Sequence, residues 1–349
     1  MLTRTVSTVS IRACSSAASS IAPEPTPKPR NNNENFVELI SSQYKEKMNY
    51  LNKLLEHSEV NRRRVYEKVI AERKPLIELI ERKLCIPGRS RLVSVGSSAT
   101  GLIYDSASDI DLCFFTEDEK FYKDIHQNTD FREYFFSQLE QLTSELASED
   151  RRLEVSTMKS FVNLAVPIMI VNFKLGLSMD IQLPMSNFQA IRNTNLAKHY
   201  VSIDPRFPQV YFYIKRLFEA LGLRNSKGGL LSNWKSENTK TVSQLIVEMV
   251  NYYRNFDVKN SVINIGRGIV TKRKITKQEK SQLQIFDPYS NVSICKSEYI
   301  PDAFSTAISF IHRKMRAGML IDSFPHFPEA GHFRSYAEWK PWFEKLKCI

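Results

Sequence analysis

The feature that most constrains how this chain folds is a closely spaced pair of carboxylates, Asp109 and Asp111, placed after a Gly-Ser turn. The β-branched run 91–95 predicts a strand that stops at Gly96, and the run 110–115 predicts a second strand. Side chains two apart on a strand point to the same face, so we expect both carboxylates to share one face of a sheet.

Two carboxylates this close repel each other unless a cation lies between them. Mg²⁺ prefers hard oxygen ligands and keeps waters for substrate phosphates, and Mn²⁺ accepts similar ligands. A third carboxylate, Asp180, lies on a later predicted strand, 177–183, and can complete the cluster. Two metals in such a cluster clamp the attacking and leaving oxygens of an in-line displacement. We therefore predict Asp109, Asp111 and Asp180 as the metal ligands and catalytic residues.

The turn before the carboxylates is suited to binding phosphate. Gly96 and Ser97 directly follow the first predicted strand and are predicted to open a helix. Backbone N–H groups at the start of a helix bind phosphate, and glycine allows a close approach. A Gly-Ser pair alone is commonly only a turn, and a lone Asp-x-Asp is commonly a solvated strand edge. Their order along the chain favours a nucleotidyl-transfer site.

Helical periodicity flanks these strands on both sides. Residues 36–84 predict two or three helices. A further strand is predicted at 164–171, where Pro167 suggests an edge position. The remaining helices are predicted at 121–148, 196–200, 210–221, 241–253 and 304–315. The predicted fold class is α+β, with a mixed sheet between helices.

Composition favours a polyanionic partner and excludes several other classes. The formal net charge is +11 over 349 residues, with basic clusters at 62–64, 272–274 and 312–316 that can line a path for RNA phosphates. The alternative is a basic surface that serves only solubility. Five scattered cysteines with no CxxC pair argue against a disulfide framework and a structural zinc site. The sequence contains no run of about eighteen apolar residues, so no membrane span is predicted.

The first 35 residues differ from the rest of the chain. No Asp or Glu occurs before Glu24, while Arg4, Arg12 and many Ser and Ala residues do. This composition is typical of a mitochondrial transit peptide, although a disordered tail explains it as well. We expect a cytoplasmic protein, with a mitochondrial location as the alternative.

Several segments together resemble one known family, the cytoplasmic poly(A) polymerases and terminal uridylyltransferases of the DNA-polymerase-β-like nucleotidyltransferase superfamily. The matching segments run from the palm motif into the C-terminal half: Gly96-Ser-Ser with 108–113, 191–196 with Tyr200 and 204–206, 213–216, 242–254 with 256–257, and 285–289. They cover most of residues 90 to 315.

The resemblance implies a nucleotidyltransferase palm at 88–185 and a discontinuous helical domain at 36–87 and 188–349. It implies Asp109, Asp111 and Asp180 as metal ligands, and Gly96 and Ser97 at the phosphates. By the same resemblance, Asn193 contacts the ribose of the incoming nucleotide and Lys215 holds its triphosphate. The implied reaction transfers AMP from ATP to an RNA 3′ end without a template, releasing pyrophosphate.

One family segment has no counterpart here. The usual Ser-Tyr pair after the lysine helix is absent, the chain is shortened near 231–235, and only Trp234 offers an aromatic ring there. A catalytically weak RNA- or protein-binding homologue is therefore the second hypothesis. Uridylyl transfer is the third, although no histidine follows Tyr289, which favours ATP. No separate RNA-binding module is visible, so we expect a partner protein to select the RNA; the sequence predicts no oligomeric state.

Overall fold

The computed structural model describes residues 32–104, 106–164, 166–183, 188–220, 239–272, 284–286, 288–289, 293, 300–320 and 336–348. Within these ranges, no helix combines the length and the apolar character that crossing a membrane requires. Of the two or three helices expected in residues 36–84, the structure has two, α1 (Asn32–Gln43) and α2 (Lys45–Leu84).

Five strands form the larger sheet, and three helices lie between its first three strands along the chain. The strands are β1 (Ser90–Ser94), β2 (Ile110–Thr116), β3 (Val155–Phe161), β4 (Ile168–Phe173) and β5 (Ser178–Gln182). The helices are α3 (Gly96–Thr100), α4 (Glu119–Gln127) and α5 (Thr129–Ser144). The strand order is β1-β2-β5-β4-β3, and only β2 and β5 run parallel.

Two features of the strand prediction were wrong. Pro167 does not mark an edge strand, because β4 starts after it and lies between β3 and β5. Pro167 instead stands just outside the strand, where its carbonyl accepts a hydrogen bond from the N–H of Leu183 at 2.9 Å. One of the two edge strands, β3, was not predicted, because all of its side chains are exposed or half-buried and give no apolar pattern.

The sheet has one apolar face and one polar face. Leu112 and Ile181 are fully buried in a core that also contains Ile80 of α2 and Phe136 of α5. Because side chains alternate along a strand, the residues between them face the other side. That alternation places the acidic residues of β2 and β5 on the face opposite the core.

The second unit is mainly helical. Its helices are α6 (Gln189–Ile203), α7 (Phe207–Ala220), α8 (Val242–Arg254), α9 (Ile300–Arg316) and α10 (Tyr336–Cys348). It also contains a three-stranded sheet that was not predicted, formed by β6 (Ser261–Asn264), β7 (Ile269–Lys272) and β8 (Gln284–Phe286) in the order β7-β6-β8. These strands are three or four residues long, too short to give a clear alternating pattern.

Helix α2 belongs to both hydrophobic cores. Its first part contributes Leu51 and Leu55 to the core of the helical unit. Its last part contributes Leu76 and Ile80 to the core under the five-stranded sheet. The palm core therefore begins before the boundary predicted at residue 88.

Candidate active site

Two of the predicted carboxylates are direct neighbours across parallel strands. Asp111 on β2 and Asp180 on β5 are paired in register, and both are half-buried. Buried Leu112 and Ile181 on the other face of the same strands fix that register, because a slip by one residue would expose them. The fold thus brings together two carboxylates that are 69 positions apart in the sequence.

Gly96 packs directly against one of these carboxylates. Its φ is +66°, in the left-handed region that favours glycine. A Cβ atom placed on Gly96 would overlap the Oδ2 atom of Asp111 and lie 3.1 Å from its Cγ atom. The missing side chain therefore leaves the space that the Asp111 carboxylate occupies. Ser97 follows as the second residue of α3, which confirms the predicted helix start.

Asp109 lies immediately before β2. Its carboxylate accepts a hydrogen bond from the hydroxyl of Ser178 at the start of β5. With the side chains in this arrangement, the described part of the chain has no three His, Cys, Asp or Glu groups placed to hold a metal ion. The donor set nevertheless suits a hard divalent cation, because Asp109, Asp111 and Asp180 offer only carboxylate oxygens. Cation binding by Asp109 would require its carboxylate to give up or share the Ser178 contact.

The next position of β2 on the same face as Asp111 supplies no charge. Cys113 follows Asp111 by two residues and is fully buried. Burial raises the pKa of the Cys113 thiol to about 12, so the thiol stays neutral at physiological pH. The buried, neutral Cys113 thiol therefore adds no negative charge beside the Asp111 carboxylate.

Helix α6 contacts the Gly-Ser turn. The N–H of Gly96 donates a hydrogen bond to the Thr194 hydroxyl at 3.0 Å, and Thr194 is buried. Asn193, the residue before it, is exposed on the same helix. Asn193, the predicted ribose contact, is thus the direct neighbour of a residue whose side chain contacts the Gly-Ser turn. Tyr289 also reaches α6, where its hydroxyl donates to the Arg192 carbonyl at 3.2 Å.

The predicted triphosphate contact, Lys215, is exposed on α7. Its neighbour Arg216 stacks on the ring of Tyr104, with 4.4 Å from the guanidinium carbon to the ring centroid. Tyr104 belongs to the loop that leads from α3 to Asp109. This contact borders a cavity of about 310 Å³ between α2 and α7, whose lining includes Leu51 and Phe212.

Within the basic cluster 62–64, Arg62 does not present its charge to solvent, whereas Arg63 and Arg64 are exposed. The Arg62 side chain is only 6% exposed and forms two hydrogen bonds of 2.7 Å with Glu59. It also donates to the carbonyls of Gly101 and Ile103. A guanidinium engaged in this way cannot reach a phosphate. Arg63 is exposed but pairs with the same carboxylate at 2.9 Å.

The cluster 312–316 is also partly structural. The His312 ring stacks on Phe36 with a centroid separation of 4.3 Å. Burial, and to a lesser extent the positive charges of Arg254 and Arg316, lower the pKa of His312 to about 4. Arg313 donates to the Leu346 carbonyl at 2.6 Å. The third cluster is described only at its first residue, Lys272, which is exposed.

The shortened region near 231–235, including Trp234, lies outside the described residues. The side chain of Phe218 and those of the two residues after it in α7 are likewise not described.

With these features in place, comparisons with known proteins define the class. Residues 49–202 match the family described as "Poly(A) RNA polymerase, mitochondrial-like, central palm domain". Residues 49–202, less than half of the chain, are thus similar to the palm domain of this poly(A) RNA polymerase family. The match starts within α2, in agreement with the contribution of α2 to the palm core.

Individual relatives agree with this assignment. A segment of 146 residues is 29% identical to poly(A) RNA polymerase GLD2-B of Xenopus laevis; it covers 42% of this chain and 26% of that protein. Mitochondrial poly(A) polymerase (mtPAP) in complex with ATPγS superimposes with a TM-score of 0.57 at 17% identity, over 81% of this chain and 74% of the other.

A terminal uridylyltransferase is also similar in structure. Terminal uridylyl transferase 4 from Trypanosoma brucei with bound UPU gives a TM-score of 0.55 at 15% identity, over 77% of this chain and 99% of the other. At such low identities, these two structural likenesses establish the fold. The overall architecture predicted from sequence, a mixed palm sheet joined to helices, is therefore confirmed.

Proposed function

We propose that this chain is a template-independent RNA nucleotidyltransferase that adds AMP from ATP to RNA 3′ ends. The observation that carries the proposal is the register of Asp111 with Asp180, beside a glycine that leaves room for the Asp111 carboxylate. The alignment with a poly(A) RNA polymerase supports it, although that alignment covers 26% of the relative.

The carboxylates have distinct roles in this proposal. Asp111 and Asp180 hold the divalent cation from adjacent strands, and Asp109 completes the ligand set from the residue before β2. The cation, Mg²⁺ or Mn²⁺, supplies charge neutralisation at the reacting phosphate. Asp109 is the most exposed of the three carboxylates, so we place it on the side of the cluster that faces the RNA 3′-hydroxyl.

The remaining residues orient the nucleotide. Ser97, the second residue of α3, donates its hydroxyl to the triphosphate. Asn193 contacts the ribose from α6, and Lys215 adds a positive charge from α7. RNA is held mainly through its phosphates, in keeping with the net charge of +11.

The test is primer extension. Wild type with a labelled oligo(A) primer, ATP and either Mg²⁺ or Mn²⁺ is expected to lengthen the primer, and Asp180→Asn is expected to lower the rate by at least about 1,000-fold, because a neutral amide is a poor cation ligand. A rate that is equal in wild type and the variant would contradict the proposal. Salt-sensitive RNA binding without extension would favour the RNA-binding homologue.

Base preference is measured in the same assay. With the four nucleoside triphosphates in competition, we expect incorporation of AMP to exceed that of UMP by several-fold. Predominant incorporation of UMP would reassign the chain to uridylyl transfer, the activity named for its structural relative from Trypanosoma brucei.

We further propose that target RNAs are delivered by a partner protein and that the chain acts in the cytoplasm. Residues 1–35 fused to a fluorescent protein are expected to leave it cytoplasmic. Co-localisation with a mitochondrial marker would instead favour the transit-peptide interpretation of the acid-free residues 1–23.

A further inference from the structure

Two buried arginines of α2 hold the two ends of the loop that connects α3 to β2. Arg62 donates to the carbonyls of Gly101 and Ile103 at the start of the loop. Arg73 serves the end of the loop. Its guanidinium nitrogens donate to the carbonyls of Ser106 (3.0 Å), Ser108 and Asp109 (3.4 Å).

The end of the loop needs such support because the sheet does not supply it. Pairing between β2 and β5 starts at Ile110, so Asp109 lies outside the ladder. Asp111, in contrast, is inside it, and its carbonyl also accepts the N–H of Val95 at 2.9 Å. Besides the Arg73 contact, the Asp109 carbonyl accepts a hydrogen bond of 3.4 Å from the Ser98 hydroxyl.

The chemistry of Arg73 suits this task. The residue is 5% exposed, so its contacts with carbonyl dipoles are made away from bulk water, where they are stronger. The guanidinium is a planar fork that can reach several carbonyls in fixed directions, whereas a lysine ammonium is a single point charge. Arg73 also stands on a long helix whose residues Val69 and Leu76 are buried on either side of it, so this part of the helix is anchored by packing.

We propose that Arg73 is a positioning residue that fixes the backbone of Asp109 and thereby sets the affinity of the carboxylate cluster for its divalent cation. This inference rests on the proposed function, because it takes Asp109 as a cation ligand. Arg73 does not touch the nucleotide or the metal; it acts through the main chain of residues 106–109.

Arg73→Lys tests the proposal while keeping the positive charge. We expect its Mn²⁺ affinity, measured by calorimetric titration without nucleotide, to fall about tenfold or more, the usual effect of losing a group that orients a ligand. The Mn²⁺ concentration for half-maximal extension should rise by a similar factor, with the KM for the RNA primer unchanged. Amides of residues 106–109 should exchange hydrogen faster, while those of β4 keep their wild-type rates.

The matched control is Lys74→Met, which removes a charge from the next residue of the same helix. The Lys74 side chain is 73% exposed, and its ion pair with Glu78 is long, at 4.0 Å. Every readout should therefore stay at the wild-type value.

The outcomes separate the two proposals. If Arg73→Lys leaves both the Mn²⁺ affinity and the hydrogen exchange unchanged, the role of Arg73 is overturned and the proposed polymerase function is not. A lower melting temperature with a wild-type Mn²⁺ requirement would have the same meaning. A wild type that binds Mn²⁺ but extends no primer would contradict the proposed polymerase function, and the affinity comparison would still decide the role of Arg73. A wild type that binds no Mn²⁺ would contradict both.

Discussion

Replacing Gly96 with alanine is expected to lower kcat/KM for primer extension by at least about 100-fold in a protein that still folds. The added Cβ atom would overlap Oδ2 of Asp111, so the carboxylate must move. A displacement of about 1 Å in a reacting group costs on the order of 100-fold in rate. Parallel measurements of kcat/KM and of the melting temperature test this expectation.

A matched control separates the steric effect from the backbone effect. Gly176, in the turn between β4 and β5, has a φ of +81° and nothing within 4 Å of a built Cβ atom. Both alanine variants carry the cost of left-handed backbone, about 1–2 kcal/mol. Only Gly96→Ala should lose activity beyond that common loss of stability. Equal activity in the two variants would show that the contact with Asp111 is unimportant.

Replacing Glu59 with glutamine is expected to lower the free energy of unfolding by about 3 kcal/mol at pH 7, because it leaves Arg62 buried without its counter-charge. The Glu59 side chain is 7% exposed and binds the guanidinium through both oxygens. Denaturant unfolding of wild type and variant measures the difference. Glu72→Gln is the control: its partner Lys68 is 3.9 Å away and both side chains are exposed, so we expect a change of under about 0.5 kcal/mol.

The effect should depend on pH in a defined direction. Burial acts to raise the pKa of Glu59, but hydrogen bonds and charges from Arg62 and Arg63 outweigh it, and the pKa lies below its usual value of 4.5. A carboxyl with a lowered pKa contributes stability above its unfolded-state pKa and loses it as the pH falls through the folded-state pKa. The difference between wild type and Glu59→Gln should therefore be constant above about pH 4.5 and shrink below it. A difference that grows on acidification would contradict the assignment.

The acidic strands could be predicted from sequence because their signals are local. Gly96 ends one apolar run, Asp109 and Asp111 bracket the start of the next, and Asp180 lies within a third, so each strand was found within one or two residues. The resemblance to a known family then added Asn193 and Lys215, whose assigned roles no pattern of residues indicates. That Asp111 and Asp180 are paired in register depends on strand order, which no single segment encodes.

The parts that sequence missed have physical reasons. β3 is an edge strand with few buried side chains, and the strands of the second sheet are too short for a clear period. The supporting arginines did leave a signal: Glu59, Arg62 and Arg73 interrupt an otherwise apolar stripe that includes Leu55, Val69, Leu76 and Ile80. Charged residues on such a stripe indicate buried ion pairs or contacts with main-chain carbonyls. Reading 62–64 only as a basic cluster concealed this.

The single parallel pairing in the palm sheet has a consequence for how the chain acquires its site. The chain between β2 and β5 includes α4, α5 and the hairpin of β3 and β4, so the two strands are distant in sequence. Contacts across such a long stretch of chain form slowly, because the entropy of closing the loop must be overcome first. We therefore expect Asp111 and Asp180 to become neighbours late in the folding of the palm. A nascent or misfolded chain would present separate carboxylates, which ties the appearance of the cluster to the final stage of folding.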